Sequence, residues 1–425
     1  MKYFLSVVLT SFCLLLASCS FLTESVPEYD PTVDIDIEQI KQDYPSVSNV
    51  PVLYIDIDRE LWLLDRDEYV SATVTAPDSN LVEINAKIKG RGNASWLLPQ
   101  KPYNLKFETD VDLFGLGAEK SWVLITLFYD KTLLRNYLTL DLAKTVCGEY
   151  EMDKMFVDVV INGEYNGLYL LTEKVEDSKT RVDLSKKNGD VLFEIEQAYR
   201  HDYHCENCIE LESGAHLTFK EPEPEDLSLR DFKLKYSQME DFFEAADDAI
   251  RSKDFSQFSD YIDVESFINW YIVNEFVKNF DSRFVTSCYC YVKNGKLFMG
   301  PCWDYDTCMG NQDVETCMDP KGFHVRIAPW YVSLLRNDEF YSMLCNRWEE
   351  LVSTGVFDRF IQNIDEQTEY LSEASANHFE RWPTSLTSGD LRGKNALFTY
   401  EEEIDYLKNW IEKRIEFLNS KWKTE

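Results

Sequence analysis

The sequence predicts an α+β fold in two lobes: a β-rich N-terminal half, then a helical C-terminal half with one hairpin embedded in it. Three observations predict it. β-Branched and alternating segments dominate from Val52 to about Glu196, and apolar residues at helical spacing take over from about Asp231. Asn-Gly turns sit between short apolar runs at Asn162-Gly163 and at Asn294-Gly295, and each reads as a hairpin.

The chain begins with Lys2, an almost wholly apolar run over residues 3–16, and Leu16-Ala17-Ser18-Cys19. A membrane-spanning helix needs roughly 20 apolar residues, so this shorter run reads as a signal peptide covering 1–18. The small residues before Cys19 match a lipobox, in which that cysteine is acylated and becomes the new N-terminus. The expected partner of the mature chain is therefore a membrane, held through lipid at Cys19. Its expected location is the cell envelope, at the outer membrane or the cell surface. Residues 19–48 are polar and carry Pro27, Pro31 and Pro45, which reads as a tether. A domain over 49–350 follows, and 351–425 reads as a helical extension packed on it.

Within the domain, strands are expected at 52–57, 69–75 and 82–90, with Pro77-Asp78-Ser79-Asn80 as a turn. Gly90-Arg91-Gly92-Asn93 makes a tight turn, and Gly92 serves its backbone geometry. Tyr103, Leu105 and Phe107 then alternate with Asn104 and Lys106, a strand with one polar face. A helix is expected over 131–147, strands at 156–161 and 168–171 around the first Asn-Gly turn, and a strand at 191–196. The acidic stretch 197–230 reads as an insertion or loop. Helices at 239–251 and 264–278 precede the second hairpin, and helices resume after 325, ending with 400–423.

Composition narrows the function. The 44% hydrophobic and 14% aromatic content supports a substantial core. A formal net charge of −33, from 76 acidic and 43 basic residues, argues against nucleic acid as a partner, since phosphate contacts need Lys and Arg clusters. No GxSxG or HExxH occurs, and 5 histidines are few for His-based catalysis. Of the 11 cysteines, Cys205 and Cys208 form a CxxC beside His201 and His204, compatible with a local disulfide or with zinc. Cys288 and Cys290 share one face of the second hairpin's first strand and read as core.

The richest constellation lies around that hairpin. Asp281 follows the end of a helix, and Asp304 and Asp306 follow the hairpin's return strand. The two ends of a hairpin lie side by side, so Asp281 and Asp304 should face one cleft. Carboxylates converging there suit a divalent cation, with one left to orient or deprotonate a hydroxyl.

Several motifs carry a family resemblance. Arg91-Gly92-Asn93-Ala94-Ser95-Trp96 and Lys101-Pro102-Tyr103-Asn104-Leu105-Lys106-Phe107 resemble a paired signature of the CotH (spore coat protein H) kinase family. Leu133-Leu134-Arg135-Asn136 is similar to that family's helix, and Asn162 to Tyr169, running on to Glu173, to its hairpin. Trp303-Asp304-Tyr305-Asp306 resembles its WDFD motif. The resemblance implies an atypical protein-kinase-like fold that moves phosphate from ATP, with Mg²⁺ or Mn²⁺, to a protein Ser/Thr or another hydroxyl. It implies Asp281 as the catalytic aspartate and Asp304 and Asp306 as metal ligands. It further implies Arg91 and Lys106 as phosphate-binding residues, and Glu173 as partner of a basic group.

One departure stands beside it. Kinase-like members carry an Asn about five residues after the loop aspartate, whereas this chain has Phe284-Val285-Thr286-Ser287. Ser287 or Asn311 would have to substitute. The alternative expectation is therefore a catalytically weak or inactive kinase-fold protein, a surface scaffold that binds a protein or glycan through its many Tyr and Trp residues.

Overall fold

A computed structural model describes residues 37–148, 150–185, 188–197, 208–223, 226–387, 392 and 396–423. Cys19, Cys205, His201 and His204 lie outside these residues. Cys208 is disulfide-bonded. Ile37–Glu425 group as one compact unit, and no described helix is long and apolar enough to cross a membrane.

The stretch read as tether contains helix α1 (Ile37–Asp43). Seven strands then close into a barrel: β1 (Val52–Ile57), β2 (Val70–Ala76), β3 (Leu81–Gly90), β4 (Tyr103–Asp112), β5 (Ala118–Thr126), β6 (Lys154–Ile161) and β7 (Glu164–Glu173). Their order is β1-β2-β3-β4-β5-β7-β6, and the parallel pair β1–β6 completes the circle. Leu53, Ile55, Val74, Ile88, Leu105, Trp122, Tyr169 and Leu171 fill the interior. On β7 the neighbours Leu168 and Leu170 turn the other way and pack with Leu138 of α2 (Arg135–Cys147). Burial on both faces explains why this hairpin reads as continuous apolar runs rather than as an alternation.

A second sheet holds β8 (Val191–Ile195), β9 (Cys208–Glu210), β10 (His216–Glu221), β11 (Cys288–Lys293) and β12 (Lys296–Met299), in the order β12-β11-β8-β10-β9. The hairpin expected at the second Asn-Gly turn is β11–β12, with Asn294 and Gly295 both at positive φ. Cys288 and Cys290 are buried in the core. Two expectations need correction. β5 was not foreseen, because Trp122, Val123 and Leu124 are all buried and show no alternation. Nor is 197–230 only a loop: β9 and β10 lie in it, with Leu217 and Phe219 buried between polar Thr218 and Lys220.

The C-terminal half is helical: α3 (Leu229–Ser252), α4 (Phe255–Tyr261), α5 (Val264–Val277), α6 (Glu315–Met318), α7 (Tyr331–Leu334), α8 (Asp338–Ser353), α9 (Val356–Tyr370), α10 (Ser372–Arg381), α11 (Pro383–Thr387) and α12 (Tyr400–Trp422). The whole is a mixed α+β protein, β-rich first and helical second. α5 is its axis. Asp263 caps its first turn by accepting from the Ser266 amide, and every residue from Phe267 to Val277 is buried. A helix enclosed on all sides must satisfy its polar groups internally. Glu275 does so by accepting from the amides of His324, Val325 and Arg326 and by pairing at 2.7 Å with Arg414 of α12. Both side chains of that pair are fully buried.

Two expected outcomes follow from this packing. Arg414→Met strands the Glu275 carboxylate, and removing one partner of a buried pair costs about 3–5 kcal/mol; urea unfolding should show that loss, and adding Glu275→Gln should recover part of it. His378 is fully buried, and its Nδ1 accepts from the Leu168 amide at 3.3 Å. Burial pushes its pKa down to about 3. A depressed histidine leaves the unfolded chain to take the proton first, so stability falls as pH drops below about 6.5. Between pH 7 and 5 His378→Asn should lose less stability than the parent, by about 2 kcal/mol.

Candidate active site

α5 ends at Val277 and is capped by Lys278 in the left-handed conformation, and the chain enters a tight turn over Phe280–Arg283 that carries Asp281. On the far side of the β11–β12 hairpin, Gly300-Pro301-Cys302 leads into Trp303-Asp304-Tyr305-Asp306. One side chain of α5 holds both loops. The Asn274 carbonyl oxygen accepts from the Ser282 hydroxyl at 2.5 Å and from the Tyr305 hydroxyl at 3.2 Å. Asn279 adds a second tie, donating to the Asp304 carbonyl and accepting from the Thr307 hydroxyl. α2 braces the aspartate loop from the opposite side. Asn136 accepts from the Tyr305 amide at 2.7 Å, and buried Arg135 pairs with Asp130 at 2.5 Å while reaching the Met309 carbonyl. This is the local reason for Leu133-Leu134-Arg135-Asn136: its two polar residues fold the loop that bears Asp304 and Asp306.

Asp281, Asp304 and Asp306 open on one cleft of about 580 Å³, and Arg91, Gly92, Lys220 and Trp303 line its other walls. An adjoining hollow of about 260 Å³ continues past Arg91 to Lys174 and Glu221. Arg91 leaves β3 at the Gly92 turn, and its guanidinium lies 5.1 Å over the Trp303 ring. Among the described residues it forms no ion pair. Burial, with the nearby charges of Asp304 and Asp281, holds the Asp306 carboxyl well above the usual range. Repulsion of that kind is relieved by a cation.

The remaining expected residues are placed differently. Lys106 is exposed on β4, opposite Ser121 and Lys87, and does not line the cleft. Glu173 is buried beneath the barrel's end, where it accepts from the Asp153 amide and faces Arg181 at 3.5 Å. In the cleft, the lysine–carboxylate pair is Lys220–Glu194 at 2.6 Å. Glu194 also accepts from the Ser287 amide, and the Ser287 hydroxyl donates to Asp304 at 3.1 Å, so a polar chain runs from Lys220 to Asp304. Neither Lys220 nor Glu194 was singled out from sequence. The available signals were Glu194 inside an apolar strand and the alternation leading up to Lys220. Asn311 is buried and donates to the carbonyls of Tyr129 and Asp306.

The carboxylates suit a hard cation such as Mg²⁺ or Mn²⁺, which takes one or two protein carboxylates and fills its shell with phosphate oxygens and water.

A closed barrel joined to a helical half, with an acidic cleft that also carries Arg91, makes this an α+β protein. The chain belongs to the CotH family: the family model described as CotH kinase protein matches residues 88–418, well over half of its length. A search of curated proteins finds no match.

Gly92 sits at φ +78°, and a Cβ there would run into the Ser95 hydroxyl. Gly92→Ala should therefore cost about 1–3 kcal/mol from backbone strain plus the collision. Ser95→Ala in the same chain should recover the collision alone, as read by thermal melting.

Proposed function

We propose that this chain is a CotH-type kinase that transfers the terminal phosphoryl group of ATP to a protein Ser/Thr or another hydroxyl. On this reading the barrel half and the helical half are the two lobes of an atypical kinase-like fold, with the cleft between them as active centre. The observation that carries the reading is the convergence of Asp281, Asp304 and Asp306 with Arg91 in one cleft, in a chain whose family is that of CotH kinase proteins.

Each residue then has a task. Asp281 orients the acceptor hydroxyl and takes its proton as the new O–P bond forms. Asp304 and Asp306 would hold the divalent cation, which when bound neutralises phosphate charge. Arg91, fixed by stacking on Trp303, offers a fork to phosphate oxygens. Lys220, set by Glu194, supplies a second positive charge. The Lys220–Glu194 pair takes the part that the resemblance implied for Glu173.

We also read residues 1–18 as a signal peptide and Cys19 as the lipid-bearing residue, so that the domain works in the cell envelope. What supports this is Leu16-Ala17-Ser18-Cys19 directly after the apolar run. A second reading, a binding or scaffold protein of the same fold, draws on one observation: the hydroxyl of Ser287, a stand-in for the missing loop amide, is already committed to Asp304.

Phosphoryl transfer by the purified chain separates the two. With ATP and Mg²⁺ or Mn²⁺, label should pass to the chain itself or to a hydroxyl acceptor. Asp281→Asn should cut the rate by about 10²–10⁴-fold, the share of a general base, with the melting temperature kept. No transfer, together with no melting shift on adding nucleotide and metal, would leave the scaffold reading standing.

A further inference from the structure

A separate cluster of metal-ligand type lies behind the aspartate loop. Cys147 is the last residue of α2, Glu151 follows in the next turn, and Cys302 directly precedes Trp303. Their ligand atoms, two sulfurs and a carboxylate oxygen, all lie within 4.8 Å of one another. Tetrahedral zinc with bonds of about 2.0–2.3 Å needs donors at such separations.

The surroundings of Glu151 suit a cation ligand. It is buried at 5% exposure, and one oxygen accepts from the Cys302 amide at 2.8 Å. Among the described residues no Lys or Arg pairs with it. Room for a further ligand exists: a hollow of about 220 Å³, bordered by Cys147, Glu151 and Gly300, opens on the cluster. Arg347 donates to the Val146 carbonyl at 3.2 Å, near enough for its charge to act on the Cys147 thiol and offset a surplus negative charge.

We propose that Cys147, Glu151 and Cys302 form a zinc site, with water as fourth ligand from the adjoining hollow. Two thiolates and one carboxylate select a borderline-soft ion over Mg²⁺ or Ca²⁺. The role is positioning. α2 already grips the aspartate loop at its first turn through Asn136, and zinc pins its last residue to Cys302, two residues before Asp304. The proposal does not depend on kinase activity.

Metal analysis of the full chain, purified without chelator or added metal, should find one zinc per chain. Cobalt titrated into the stripped protein should give thiolate-to-metal charge-transfer absorption and the strong visible bands of a tetrahedral site. Cys147→Ser and Cys302→Ser should abolish both signals, while Asp304→Asn keeps them. Glu151→Gln should weaken cobalt binding at least ten-fold, since even outer partners of metal sites contribute about that much. Circular dichroism checks that the variants fold, and the titration of the unaltered chain needs no variant. Absence of the cobalt charge-transfer band, zinc retained by both serine variants, or a Cys147–Cys302 disulfide in non-reduced peptides would each overturn the proposal.

Discussion

The Glu275–Arg414 pair is the interaction on which the rest of this structure depends. A carboxylate in the middle of a helix buried on every side is untenable alone, since an unpaired buried charge costs several kcal/mol. Its partner comes from the last helix, which must be in place before α5 can be enclosed. Arg414 also donates to the carbonyls of Phe276, Pro320 and Gly322, so one guanidinium ties α12, α5 and the segment leading to His324. From α5 outward the dependence continues. Asn274 within α5 and Asn279 just beyond its end position the Asp281 turn and the Asp304 loop. Residues more than 100 positions away in sequence thereby set the spacing of the cleft's carboxylates. The family match running to residue 418 is consistent with α12 being integral to the domain.

Backbone strain concentrates where the polar groups converge. Lys278, Phe284, Ser287, Asp304 and Met309 all have positive φ without being glycine. Each such residue costs of order 1–3 kcal/mol, and surroundings must over-determine it to keep it. The network of Asn274, Asn279, Asn136 and Arg135 does this. Within this strained stretch the Ser287 hydroxyl donates to the Asp304 carboxylate.

Much of the plan was legible in the sequence, and the reasons are specific. Asn-Gly turns between apolar runs encode hairpins locally, so β6–β7 and β11–β12 could be read, and with the latter the shared cleft of Asp281 and Asp304. α5 and α12 were legible from long helical spacing. Illegible features depend on partners distant in sequence. Glu173 is followed by Lys174, yet its ion pair is with Arg181, because the barrel's end turns it inward. Lys106 sits in a resemblance-bearing motif, but strand parity sends it to the outer face while Leu105 goes in. Lys220 was hidden in an acidic stretch, where average polarity masked a short alternation. Cys147 and Cys302 are 155 positions apart, and only the packing of α2 against the loop brings them together.

The closed barrel sets a limit on how this chain can change. Around a ring of strands the register shifts must sum to a fixed total, so an insertion within one strand has to be cancelled in another. The register shifts between Val74 and Ala76, Lys106 and Val111, and Val159 and Val160 are where that total is adjusted. An insertion is therefore accommodated most easily in the connections, and Arg91, one residue beyond β3, has its height above the cleft set by the register of the whole ring.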